Sequence, residues 1–264
     1  DECRFLSLKN RGRLAFCEYG AAEGDPVFFF HGWPSSRTMG ELTDAAAREL
    51  NVRVISADRP GICDSSFQPN RTLLDWPGVV EQLASELGIE RFHILAFSGG
   101  APYAYVTGLK MPGRVQAIAI VSGAVPFADL SDHSGLLPLY RWMIWFYRNQ
   151  PRVLRALFYA TRPLISWRIS ARSYFQMLPR PDAKALRDNA AFDVVFESQR
   201  RVGVFVWKMS TFRSACGTES RIVHFHFALL KKQRSVCPIV SPVMLKTKGT
   251  SRCRSATCTK FLRT

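Results

Sequence analysis

At 264 residues, with 47% hydrophobic, 12% aromatic and 22% charged side chains, the chain has an ordinary globular composition and enough apolar material for one large buried core. No apolar run reaches the ~18 residues of a membrane span, so a soluble protein is expected. The formal charge of +15 is concentrated at one end: residues 1–200 hold 23 Lys+Arg against 20 Asp+Glu, and residues 201–264 hold 13 against 1.

In chain order, "CRFLSL" and "RLAFCEYG" read as a hairpin, and "PVFFFHG" as a strand buried on both faces. "SRTMGELTDAAAREL" has helical spacing and "VRVISAD" is the next strand. Asp75, Trp76 and Pro77 open a helix over "DWPGVVEQLASELG", with Asp as a cap, Pro in the first turn and Gly88 as a stop. "RFHILAF" (strand), "GGAPYAYVTGLK" (helix) and "VQAIAIVSG" (strand) follow. Strand–helix alternation at this spacing implies an α/β fold with a mainly parallel sheet and helices on both faces, with ligands beyond the carboxyl ends of the strands.

Ser98 lies at such an end, in "ILAFSGGAPYA". A serine on a sharp strand-to-helix turn exposes its hydroxyl beside the N–H groups of a helix start. The turn needs small neighbours, which Ala96, Gly99 and Gly100 supply. The plainer alternative is a capping serine. At the end of an earlier strand, "FFFHGWPSSR" places His31, Gly32, Trp33 and Pro34 where the N–H of Trp33 can aim at the same spot, so that Trp33 and Gly99 would form an oxyanion hole.

With "SADRPGICDSS" added, the chain resembles the α/β-hydrolase family: an H-G-x-P turn, a D-x-P-G-x-x-x-S stretch and a small-x-Ser-x-Gly elbow occur in family order over residues 3–126, with weaker similarity to about residue 205. The resemblance implies the α/β-hydrolase fold, a helical lid, Ser98 as the nucleophile, and Trp33 and Gly99 as oxyanion donors supported by His31, Gly32 and Gly100. It implies no cofactor and no metal. Ala96 stands for the commoner first glycine of the elbow, and Cys63 for a glycine after "DRPG"; Asp58 and Arg59 read as structural turn residues. The "HGWP" segment is similar to epoxide hydrolases and haloalkane dehalogenases, but those need an aspartate nucleophile where this chain has serine.

Residues 1–126 are therefore expected to form the core, 127–205 a lid and 206–264 an atypical basic segment. The stretch "LLPLYRWMIWFYRNQPRVLRALFYATRPLISW" is interrupted by arginines on what would be its exposed face, which favours a lid over a membrane-surface helix. An aromatic-walled lid favours a small apolar ester or acyl substrate.

The family order is Ser, acid, His. His31 belongs to the oxyanion turn, His93 to a strand interior and His133 to the start of the lid. His224 and His226 could follow Asp129, Asp132 or Asp193 in that order, but no glycine precedes His224 to make an exposed loop. Acid and base are not identified in the sequence. From residue 211 onward, 28 of 54 residues are Ser, Thr, Arg, Lys or Cys, and periodicity fades. A shifted frame, a retained intron or an alternative ending would produce such a change. The rival is an evolved basic arm for nucleic acid or anionic lipid, against which stands the lack of aromatic interleaving or repeats.

Seven cysteines without regular pairs argue against a disulfide framework, and the lone pair Cys253 and Cys258 has no partners for a zinc site. A cytoplasmic setting is the default expectation, although the chain starts at Asp1 without Met and a targeting segment is not excluded. The expected activity is hydrolysis of a carboxylic ester or similar acyl compound, doubtful for this chain without an identified base. The alternatives are a non-catalytic binding module and a basic-arm nucleic-acid binder.

Overall fold

The computed structural model describes residues 4–9, 12–124, 136, 138–154, 156, 157, 160 and 191–205. Six strands form one sheet: β1 (Arg4–Ser7), β2 (Arg13–Gly20), β3 (Asp25–Phe30), β4 (Val52–Ala57), β5 (Phe92–Phe97) and β6 (Val115–Val121), in the order β1-β2-β4-β3-β5-β6. β1 and β2 make the expected hairpin, closed by Leu8 N–H donating to the Gly12 carbonyl at 2.7 Å. β2 also runs antiparallel to β4, while β3, β4, β5 and β6 are parallel. Parallel neighbours need a crossover, and three helices supply it: α1 (Asp44–Glu49), α2 (Trp76–Glu86) and α3 (Ala101–Lys110).

The unbroken apolar run of β3 has a direct cause. Side chains of a strand alternate faces, and here both faces are covered. Phe28 and Phe30 join the larger apolar cluster with Trp76, Val80, Leu83, Phe92 and Ile94, whereas Phe29 points into a second cluster with Tyr19, Met39, Ala47 and Val54. β5 alternates buried and half-buried positions, with His93 half-buried opposite Val27.

Two local details differ from the sequence expectation. "SRTMGELTDAAAREL" begins as a 3-10 turn over Arg37–Thr43 before α1, because Gly40 and the threonines support a regular helix poorly. Asp75 does not cap α2; its carboxylate accepts from the Thr72 N–H at 2.7 Å and the Thr72 hydroxyl at 2.9 Å, fixing the turn one step earlier.

Two further helices are α4 (Pro138–Asn149) and α5 (Ala191–Phe205). α5 packs on the 3-10 turn after β3, burying Ser198 and Val202, while α4 buries none of its side chains fully. Among the described residues, no helix is long and apolar enough to cross a membrane.

Trp76 fills the centre of the larger cluster, edge-on to Phe30 at 5.5 Å and to Tyr103 at 5.7 Å between ring centroids. Its indole N–H is buried without a partner among the described residues. Ring volume, not the N–H, is therefore what Trp76 contributes. Trp76→Ala is expected to cost about 3–5 kcal/mol and Trp76→Phe less than about 1.5 kcal/mol in denaturant unfolding. Equal losses for the two variants would contradict this assignment.

Candidate active site

β5 ends at Phe97, and the chain turns sharply at Ser98 into a 3-10 turn, Ser98–Gly100, that runs into α3. Ser98 has φ +49°, a left-handed conformation that costs a non-glycine residue about 1–2 kcal/mol. The Ala124 N–H, after β6, donates to the Ser98 carbonyl at 2.9 Å and holds the turn from the other side. Pro102 lies in the first turn of α3, where its missing N–H is harmless.

Contact requires a glycine at Gly100 and leaves little room at Gly99. A Cβ on Gly100 would fall 2.1 Å from the Phe30 carbonyl oxygen and 3.1 Å from that of His31, so the start of α3 rests on the end of β3. A Cβ on Gly99 would lie 3.3 Å from the Trp33 amide nitrogen, and one on Gly32 would lie 3.3 Å from the Ser98 Cβ. The two turns singled out in the sequence therefore meet. Ser98 and Gly99 are half-buried and the Trp33 side chain is 51% exposed, so the meeting point is near the surface.

What fixes the first turn is Arg59. Its guanidinium donates to the His31 carbonyl at 2.6 Å and the Gly32 carbonyl at 2.9 Å, and it sits over the Tyr103 ring at 4.7 Å. The Gly32 carbonyl and the Trp33 N–H are opposite sides of one planar trans peptide. Holding the oxygen toward Arg59 turns the Trp33 N–H away from it.

His31 is wholly buried and bonded through Nδ1 to the Gly32 carbonyl at 3.0 Å, which places the proton on Nδ1. Burial, then the Arg59 charge, hold its pKa well below the ordinary value, against the pull of the Gly32 carbonyl. It is a neutral brace for the turn. Asp58, next to Arg59, is also buried. Its carboxylate accepts from the Arg37 backbone N–H at 2.7 Å and pairs with the Arg37 guanidinium, whose other arm reaches Asp64 at 2.7 Å. Burial pushes the Asp58 carboxyl up, opposed by Arg37. Ser65 donates to the Asp58 carbonyl at 2.9 Å and accepts from the Ala15 N–H at 2.9 Å, tying this loop to β2. Cys63, also in a left-handed conformation, is buried, and burial together with the Asp58 charge pushes its thiol up to about 12.

Asp58 and Arg59 are thus structural, as their place in the sequence suggested. Arg37 and Ser198 carry no sequence motif that marks them. Ser198 hydrogen-bonds Ser35 Oγ at 2.8 Å and accepts from the Ser36 N–H at 2.9 Å, pinning α5 to the loop that follows the His31–Pro34 turn.

Among the described residues, no imidazole hydrogen-bonds the Ser98 hydroxyl. Asp193, on α5, lines a surface cavity with Phe196, Glu197 and Arg200. Glu197 bonds Arg200 and Arg201, which hold its carboxyl at about 2. Asp129, Asp132, His133, His224 and His226 lie outside the described residues, as does the Cys253 and Cys258 pair. Among the described residues, no group of three or more His, Cys, Asp or Glu side chains could hold a metal.

A family model described as alpha/beta hydrolase fold matches residues 25–184, more than half of the chain. Among solved structures, a Vigna radiata epoxide hydrolase mutant is 23% identical, over 45% of this chain and 37% of that one, with a TM-score of 0.42. The chain thus spans little more than a third of that enzyme. Cfl2 from Burkholderia cenocepacia is 21% identical over 78% of this chain and 72% of its own, with a TM-score of 0.51. A thermophilic esterase from Thermogutta terrifontis is 21% identical over 59% and 64%, with a TM-score of 0.43. No curated protein sequence matches the chain.

The neutral, buried His31 has a consequence for stability. The unfolded chain protonates this imidazole below about pH 6.5 and the folded chain resists protonation, so the unfolded state binds more protons there. Stability falls as pH drops through about 6.5, by at most about 1.4 kcal/mol per pH unit from this one group. His31→Gln is expected to reduce the slope of unfolding free energy between about pH 5 and 6.5. Identical slopes for both proteins would show that His31 is protonated when folded.

Proposed function

The chain belongs to the α/β-hydrolase family, and on that premise we propose that it is a serine hydrolase-type protein acting on a small, apolar carboxylic ester or similar acyl compound. The observation that carries this reading is the contact between the two turns: Ser98 strained on its elbow, with Gly99 against the Trp33 amide. The Ser98 Oγ bonds to the acyl carbon and the carbonyl electron pair moves onto oxygen. The N–H groups of Trp33 and Gly99 then stabilise that oxygen, an effect typically worth ~10²–10³ in rate per donor. Epoxide opening through an alkyl-enzyme ester requires a carboxylate at this position, and a serine hydroxyl does not supply one. In this reading residues 1–126 serve as the catalytic core and 127–205 as a lid over the acyl pocket.

The proton of Ser98 needs an acceptor, and the described histidines do not offer one: His31 is locked to the Gly32 carbonyl and His93 stands in the interior of β5. A serine without a base remains a neutral alcohol near pH 7 and acylates slowly. A second reading is a lidded binding module without turnover, in which no histidine outside the described residues reaches Ser98.

Prolonged treatment with a fluorophosphonate, followed by peptide mass spectrometry, tests the first reading. A slow adduct on Ser98, absent from Ser98→Ala, is expected; no adduct, or one only on other residues, overturns it. The rate of p-nitrophenyl butyrate hydrolysis separates the two readings. A change of less than about tenfold in Ser98→Ala fits a site without a base, whereas a loss of about a thousandfold or more requires a working imidazole and removes the binding-module reading.

A further inference from the structure

α4 presents an unusual surface. A helix with three tryptophan and phenylalanine rings would ordinarily turn them inward. Here the outward stripe is Arg141, Trp142, Trp145 and Arg148, continued past the helix end by Arg152, all exposed, while Met143, Ile144, Phe146 and Tyr147 are only half-buried. Trp142 and Trp145 are 44% and 54% exposed, and both rings pack on Phe146, at 4.4 and 4.9 Å between centroids, which orders them side by side. Leu139 and Val153 extend the exposed apolar surface along the same segment. The charge is of one sign throughout: residues 133–181 contain eight arginines and not one Asp, Glu or Lys.

Against the expectation from the sequence that these arginines mark a merely solvent-facing side of a lid, we infer that the outer stripe of α4 docks this protein on an anionic lipid surface, because the exposed tryptophans share that side with them. Arginines paired with tryptophans on one helix face suit the headgroup layer, where guanidinium groups meet lipid phosphates and carboxylates while the amphipathic indoles lie at the boundary with the acyl chains. Charge complementarity selects an anionic leaflet over a neutral one, because each arginine near such a surface adds to the attraction. The exposed Leu139 and Val153 favour lipid over nucleic acid, since a phosphate backbone with stacked bases gives aliphatic side chains nothing to enter. The stripe uses none of the residues around Ser98.

The basic stretch 201–264 would itself attract any polyanion, so the test must separate charge from insertion. The full chain is sedimented with vesicles of phosphatidylcholine alone or of phosphatidylcholine mixed with phosphatidylserine. Binding only to the phosphatidylserine vesicles is expected. Trp142→Ser with Trp145→Ser, which leaves the net charge unchanged, weakens binding by at least about tenfold. Arg141→Gln with Arg148→Gln and Arg152→Gln weakens it by about a hundredfold. In the unmodified chain, tryptophan fluorescence is quenched by brominated acyl chains, a readout that does not depend on how any variant folds. Unchanged binding of the double tryptophan variant, absence of quenching, or binding to single-stranded RNA instead of vesicles overturns the inference.

Discussion

The two hydrogen bonds from the Arg59 guanidinium to the carbonyls of His31 and Gly32 are the constraint on which the site depends. They fix the side of the peptide plane on which the Gly32 oxygen lies, and so the side on which the Trp33 N–H lies. Arg59 holds this position because its ring partner Tyr103 belongs to α3, the helix into which the Ser98–Gly100 turn runs. One side chain therefore couples the loop after β3 to the elbow after β5. Burial first, and then the Arg59 charge beside it, keep His31 neutral.

Beneath the turn, the polar groups are linked to one another. Arg37 bridges Asp58 and Asp64, Ser65 ties the Asp58 carbonyl to β2, and Ser56 donates to the Arg37 carbonyl at 2.8 Å. A buried ion pair of this kind adds little net stability, because desolvation offsets attraction, but removing one partner strands the other. Its contribution is positional: it anchors the Asp58–Asp64 loop from which Arg59 reaches the site. The strained φ of Ser98 persists because Gly100 rests on Phe30 and Ala124 bonds the Ser98 carbonyl, so neighbouring contacts over-determine the turn.

Much of the core was legible in the sequence. The apolar run of β3 announced a strand buried on both faces, and the small residues around Ser98 announced a close approach. Both signals are local and survive in any sequence with that geometry. Arg37 and Ser198 were not legible because their partners are distant in the chain: Asp58 lies 21 residues from Arg37, and Ser36 lies 162 from Ser198. No period or spacing encodes such pairs. Asp75 illustrates a smaller limit, since a carboxylate can serve a turn or the helix after it and the sequence permits either. The acid and base stayed unassigned for a different reason: after about residue 205 the periodic signal fades, and His224 and His226 fall outside the described residues.

In the proposed reading, Trp33 and Gly99 present two N–H groups to one oxygen on an acyl group attached to Ser98. A crystal structure of the chain after covalent phosphonylation tests it most directly. The expected structure has a phosphorus bonded to the Ser98 Oγ, with its non-bridging oxygen about 2.7–3.1 Å from both amide nitrogens. A phosphonyl oxygen turned to solvent, or held by other donors while Trp33 N–H faces elsewhere, would contradict it.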